Sequence, residues 1–505
     1  MPPCGSEIPS LKHVDGCIGS GLGTCHAGAV VSRWGMAHVI RPSALAGTFM
    51  QADPAALAHD VDLYLHQGAC AAPGPCPKVL IAPHAGHPYS GRTAGRAYAL
   101  LTHFGAVAGG PIRRVVLLGP AHRVYVKGVA LPGADAFATP LGAVPVDTLG
   151  AMAIADLPFV VTRADVHATE HSLEVHVPFL QRVLGNFELL PLVVGDVAPA
   201  QVAEVLDRLW GGPEVLLVIS TDLSHFLSYD QANSIDAASC AQVMALDASV
   251  THQQACGATP LNGMLQLARR KGMRIAELER CNSGDTGANT AEGRQRVVGY
   301  ASFALHENAS ADHPSPVKTP AFTLEQGVRA VQIARAALHA AVGAMPATLA
   351  HDDDLQMPGA SFVTLTQQGR LRGCIGSLQA HRPLAQDLRA NAQAAALKDP
   401  RFSPVSAQEA LELRVEVSVL TPAKALTFAN QAHALWLLRP GVDGVVLECL
   451  HEARVFRSTF LPQVWEQLPS VVNFIANLKV KAGLPANFWS PEMRLSVYQV
   501  QKFHE

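Results

Sequence analysis

A chain of 505 residues exceeds what one ordinary hydrophobic core accommodates, about 250–300 residues, so two domains are expected. Its 49% hydrophobic and 16% charged residues, with no long polar low-complexity run, exclude a disordered chain. The formal net charge is -3 and Lys and Arg are scattered, with Arg113-Arg114 and Arg269-Arg270-Lys271 the only tight clusters, which excludes a nucleic-acid-binding footprint. The ten cysteines form no paired C-x-x-C array and read as reduced cytosolic thiols. No stretch approaches the roughly 18 continuous apolar residues of a membrane span, so a cytoplasmic protein without a membrane partner is expected.

Residues 1–38 are rich in Gly, Ser and Cys with weak periodicity. They read as a disordered extension, or as a start placed ahead of a true one at Met36. A first domain is expected over 39–306. From Lys78 onward short apolar runs alternate with amphipathic stretches, the pattern of an α/β domain whose mostly parallel sheet is covered by helices. Strands are predicted at 79–82, 115–118, 189–194 and 215–219, helices at 94–104, 199–210, 234–246 and 260–271, and a closing alternating strand at 297–305. The Pro, Ser and Ala content of 307–320 predicts a linker. A second domain then occupies 321–505, opening with a capped helix over 323–342, followed by strands at 361–366 and 413–420 and a helix at 383–398.

Three strands of the first domain end alike: Leu80-Ile-Ala-Pro-His84, Leu117-Leu-Gly-Pro-Ala-His122 and Val218-Ile-Ser-Thr-Asp222-Leu-Ser-His225. In a parallel open sheet all carboxyl ends point to one edge, so these side chains are expected to converge in a pocket. Gly86 and Gly119 allow sharp turns there. Neutral imidazoles with a carboxylate or thiolate suit iron(II), zinc or copper, and without a metal they serve as general acid and base. Glu170-His171-Ser-Leu-Glu174-Val-His176 offers two carboxylates at helical spacing and two more histidines, read either as groups that orient the ligands or as a solvated helix face. Asp222 reads as a site residue or as the cap of a turn. Cys256, before a glycine and a helix start, reads as a thiol of lowered pKa, a ligand or nucleophile, or else as a small buried residue. His103, His252 and His306 receive no role.

Ile81-Ala-Pro-His84-Ala-Gly86, Leu118-Gly-Pro-Ala-His122, Glu170-His-Ser-Leu-Glu-Val-His176-Val-Pro178, Ser220-Thr-Asp222-Leu-Ser-His225 and Ala255-Cys256-Gly257 resemble, in this order, the motifs of the Memo family across 39–306. That family is similar in fold to the class III (LigB-like) extradiol ring-cleaving dioxygenases, three-layer α/β proteins that hold non-haem iron by two histidines and a carboxylate. The resemblance implies a pocket of His84, His122, Asp222, His225 and Cys256. Cys256 stands where a carboxylate ligand is expected, and a thiolate favours copper or zinc over iron.

In the second domain Arg372-Gly373-Cys374-Ile375-Gly376 is a strand with two glycines, either a packing device or a place where Arg372 binds an anion and Cys374 reacts. With Asp399-Pro-Arg-Phe402, Glu416-Val-Ser-Val-Leu420, Gly441-Val-Asp-Gly444 and Thr459-Phe-Leu-Pro-Gln-Val-Trp465 it resembles the AMMECR family, which implies an α+β domain over 321–505. Separate proteins resembling the two halves occur in bacterial AmmeMemoRadiSam systems with a radical-SAM-like protein. Their fusion implies that both halves act on one substrate or partner, with any radical SAM protein a separate chain.

The leading expectation is a metal-dependent, dioxygenase-like oxidoreductase. In it His84, His122 and Cys256 hold iron(II) or copper, with zinc less favoured, and Asp222 and His225, with Cys256, do the chemistry on a small-molecule or peptide ligand. The alternatives are a scaffold that binds a peptide or sequesters copper or iron without turnover, and a metal-free hydrolase with Cys256 as nucleophile.

Overall fold

The computed structural model describes residues 39–69, 74–105, 109–287, 290, 292–308, 322–344 and 355–505; the expected extension 1–38 and most of the expected linker lie outside them. Four strands, Val79–Ala82, Val215–Ser220, Arg114–Pro120 and Glu188–Val194, lie side by side and parallel. Almost every residue in them is buried, as strands covered on both faces must be, and this is why they read as unbroken Val, Leu and Ile runs. Alternate residues serve opposite cores. Val79, Ile81, Val116, Leu118, Leu217 and Ile219 face the helices Pro199–Arg208 and Ala258–Arg270. Leu80, Ala82, Val115, Leu117, Leu216 and Val218 face Pro54–Gly68, His87–Tyr98 and Val177–Leu184. The result is the three-layer α/β arrangement, parallel at its centre. On either side of these four the next strand is antiparallel: Val297–His306 joins Val79–Ala82, and Val129–Leu131 joins Glu188–Val194.

Two helices begin earlier than periodicity alone predicts. His87–Tyr98 starts directly after Gly86 because Pro88 sits in its first turn, where a missing N–H costs nothing. Tyr229–Met244 gains its first turn because the side chain of Gln231 reaches back to Ser228. Among the described residues no helix is long and apolar enough to cross a membrane.

The second domain is α+β. One four-stranded antiparallel sheet joins Arg370–Gly376, Ala360–Gln367, Arg414–Leu420 and Val500–His504, covered by Leu324–Ala341 and Leu384–Leu397. A second joins Lys424–Ala425, Met493–Tyr498, Gly444–His451 and Arg454–Phe460, covered by Val471–Ala482. Thr323 caps the first helix by accepting from the Gln326 N–H.

The glycines of the Arg370–Gly376 strand are there for close approach. A Cβ on Gly373 would lie 2.2 Å from the Ala395 carbonyl oxygen of the covering helix, and one on Gly376 would lie 2.2 Å from the Phe362 ring. Between them the Cys374 N–H donates to Asp399 Oδ2 at 2.8 Å and the Thr364 hydroxyl meets Sγ at 3.3 Å. Arg372 is engaged by the Glu409 carboxylate through Nε and Nη2, while its Nη1 is buried without a partner. Gly373→Ala should therefore force strand and helix apart and lower stability by about 1–3 kcal/mol in urea denaturation. A variant as stable as the parent would refute this packing role.

Candidate metal centre

The carboxyl ends of the parallel strands deliver the first ligand candidates. His84 follows Val79–Ala82 and is buried, and the more open His122 follows Arg114–Pro120. The third imidazole that meets them is His171, from the connection between the helix Ala164–Ala168 and the 3-10 turn Glu174–His176. Ring centroids are 5.1 Å apart for His84 and His122, 5.4 Å for His84 and His171, and 4.4 Å for His122 and His171. One ligand nitrogen from each lies within 4.8 Å of the other two.

What fixes these rings is a set of groups behind them. The His84 Nδ1 is 2.6 Å from Ser220 Oγ and the His176 Nε2 is 2.9 Å from it, while Ser220 Oγ donates to the Ser172 carbonyl at 2.5 Å. A hydroxyl has one proton and two lone pairs. With the proton given to Ser172, both rings must donate, so His84 carries its hydrogen on Nδ1 and turns the lone pair of Nε2 toward the other imidazoles. Tyr98 OH, 3.0 Å away, completes the chain by donating to His176 Nδ1.

Glu170 holds the His122 ring and the backbone that carries His171. Its carboxylate accepts from the N–H groups of His122, His171 and Ser172 at 2.6, 2.9 and 3.0 Å, and lies 3.0 Å from His122 Nδ1. The His171 Nδ1 is 3.2 Å from the same oxygen but outside hydrogen-bond alignment. Burial alone would push the Glu170 carboxyl up; its imidazole and backbone donors outweigh that and hold it well below the usual range. An ionised carboxylate behind imidazoles orients them and raises their basicity. Burial acts the other way on histidines: it drives His84 well below its ordinary value and His176 down to about 3, so both rings are neutral, as the ligand candidate His84 must be.

Asp222 sits at the edge of the group. Its Oδ1 accepts the His84 N–H at 2.7 Å, Oδ2 is 3.9 Å from His84 Nε2, and burial raises its pKa. Cys256 Sγ is 3.3 Å from His84 Nε2, yet burial, reinforced by Asp222, pushes the thiol up to about 12. The expected lowering by a helix start is thus reversed, because desolvation outweighs the few N–H groups there. His225, expected in the pocket, is outside the three-imidazole group. It opens the short strand Leu227 shares with it, paired to Val297–Val298, and its Nδ1 is 2.8 Å from the Leu223 carbonyl, leaving it beside Asp222.

The Glu170–His176 segment is no single helix face. Glu174 turns away from the imidazoles to the buried Arg41 guanidinium, the Ser43 hydroxyl and the Ala44 N–H. Sequence reasoning did not reach Ser220, Tyr98 or the cleft of about 330 Å³ lined by His122, Tyr125, Asp196, His252, Cys256 and Thr259. Only the Glu170-His171 adjacency could have flagged the third ring.

Residues 41–304 match the family of Memo-like proteins and residues 331–503 the AMMECR1 family. The chain is 32% identical over 289 residues to a MEMO1 family protein of Methanothermobacter thermautotrophicus, covering 52% of this chain and 99% of that protein. A MEMO1 family protein of Aquifex aeolicus is 32% identical over 277 residues, covering 52% of this chain and 97% of its own. The crystal structure of an uncharacterized protein from Pyrococcus horikoshii is 29% identical, covers 36% of this chain and 92% of that one, and has a TM-score of 0.33.

The buried rings have a stability consequence. An unfolded histidine takes up its proton near 6.5, whereas His176 in the fold does so only at about 3. Between those values the unfolded state binds more protons, so stability contributed by this site falls as pH drops below 6.5, by up to about 1.4 kcal/mol per pH unit. Urea unfolding from pH 7 to 5 should show a shallower decline for His176→Gln than for the parent; equal slopes would contradict a neutral buried ring.

Proposed function

The chain belongs to the Memo-like protein family, with an AMMECR1 domain in the same polypeptide, and from that premise we propose a metal-dependent, dioxygenase-like oxidoreductase centred on His84, His122 and His171. The observation that carries this reading is the convergence of three imidazoles, with His84 and His122 turned by Ser220 and Glu170 so that their Nε2 lone pairs face a common point. Neutral imidazoles suit iron(II), copper, zinc and nickel, so the donor set fits the group. Held there, a divalent ion supplies a Lewis acid with open positions for substrate or dioxygen.

The surrounding residues divide the remaining work. Asp222, with a raised pKa and Oδ2 3.9 Å from His84 Nε2, accepts a proton from a ligand at that edge. The cleft beside His122 and Cys256 admits a small molecule or a peptide side chain. Iron(II) is the preferred ion because the family is similar to the LigB-like dioxygenases. A second reading, copper held without turnover, is favoured by one observation: the Cys256 Sγ stands 3.3 Å from His84 Nε2, where a soft ligand would join two imidazoles. A hydrolase with Cys256 as nucleophile is favoured least, since a thiol pushed up to about 12 is protonated at neutral pH.

Elemental analysis of protein purified without a metal-binding tag tests these readings. Stoichiometric iron with oxygen uptake supports the first and tightly held copper(I) without turnover the second; absence of any bound metal after reconstitution overturns both. His171→Ala should abolish metal content whereas His225→Ala should keep it, and the reverse pattern would move the centre to His225. Ser220→Ala removes the acceptor of the His84 and His176 N–H groups and should weaken metal binding about 10–100-fold in a competition titration. Unchanged affinity would show that Ser220 does not orient the ligand.

A further inference from the structure

The two domains meet through a tryptophan that the sequence patterns did not single out. Trp436, on the short helix Gln431–Leu437 of the second domain, is 1% exposed and lies in the same hydrophobic cluster as the first domain's Val205, Leu209 and Leu217. The exchange is mutual: Leu149, on the first domain's helix Thr148–Ile154, also packs against the core of the second domain. We propose that the first domain carries a preformed receptor for this tryptophan, so that the two halves remain a stable complex when the polypeptide between them is cut.

Three features make the receptor specific for an indole. Its N–H donates to Asp147 Oδ2 at 2.7 Å, and that carboxylate is itself fixed by accepting the Gly150 N–H through Oδ1 at 2.8 Å. The walls are cut to the ring: a Cβ on Gly150 would lie 3.0 Å from the indole nitrogen, and one on Gly211 would lie 3.2 Å from the far edge of the ring. Arg114, nearly buried, covers the ring with its guanidinium carbon 5.3 Å from the centroid and donates to the Trp436 carbonyl. A satellite contact closes the rim, where Asn430 Nδ2 donates to Asp156 Oδ1 at 3.0 Å, an oxygen that Arg208 also holds at 2.5 Å.

This is the anatomy of an interface hot spot: a fully desolvated Trp in a tight pocket, a satisfied polar handle and a polar rim that excludes water. Domains joined only by a tether keep separate cores and meet through smaller, more polar surfaces. Here each domain contributes a side chain to the other's core. The partner the first domain fits is therefore an AMMECR-type chain presenting a tryptophan on a short helix, whether or not it is covalently attached. The inference is independent of any metal.

The test is made on the full chain. A recognition site for a specific protease is inserted within 309–321, the purified protein is cut, and the products are diluted to submicromolar concentration and run by gel filtration. The two halves should co-elute as a one-to-one complex. Trp436→Ala should weaken the complex at least about 30-fold. Trp436→Phe, which fills most of the pocket but cannot donate to Asp147, should weaken it about tenfold and decides the matter if the alanine variant does not fold. Parental halves that separate on cleavage would overturn the proposal, as would variant halves that hold together as tightly as the parent.

Discussion

The hydroxyl of Ser220 stands at the carboxyl end of a fully buried strand, and its three hydrogen-bonding positions are all used: by His84, by His176 and by the Ser172 carbonyl. The count fixes which nitrogen carries the hydrogen on each ring, Nδ1 of His84 and Nε2 of His176. Burial keeps both rings neutral. The same logic runs through Glu170, whose oxygens are saturated by donors and whose charge faces His122 and His171. Two acceptors thus turn imidazoles from separate parts of the chain toward one point.

Much of this was legible in the sequence because it follows from topology. The four buried strands announced themselves as Val, Leu and Ile runs, and a parallel sheet must bring its carboxyl ends to one edge, which is why His84 and His122 could be paired before any coordinates. The same rule brought His225 to that edge, where it lies beside Asp222 without joining the three imidazoles. Three positions beyond Asp222 the chain has already left the axis of the parallel strand and pairs antiparallel with Val297–Val298. His171 was read either as a group that orients ligands or as part of a solvated helix face; its position depends on a turn at 172–173 that breaks the helical spacing assumed for Glu170 and Glu174. Desolvation was equally invisible in the linear chain. The Cys256 thiol lies before a helix, the usual place for a lowered pKa, yet the atoms that surround it come from elsewhere in the fold.

The two domains meet at the other end of the sheet. Arg114 begins the seven-residue strand that ends two residues before His122, so the tryptophan receptor and the imidazole group are separated by about 20 Å of strand. Among the described residues, the group of three imidazoles includes no side chain of the second domain. Its attachment therefore does not complete the candidate centre, and the expectation that both halves act on one substrate needs a ligand or partner long enough to reach both edges.

The central claim is that three imidazoles, and neither His225 nor Cys256, form the ligand set. X-ray absorption spectroscopy on protein loaded with one equivalent of zinc reads that set directly. Three imidazole nitrogens at about 2.0–2.1 Å with no sulfur scatterer is the result this account predicts. A sulfur shell at about 2.3 Å with only two imidazoles would contradict it.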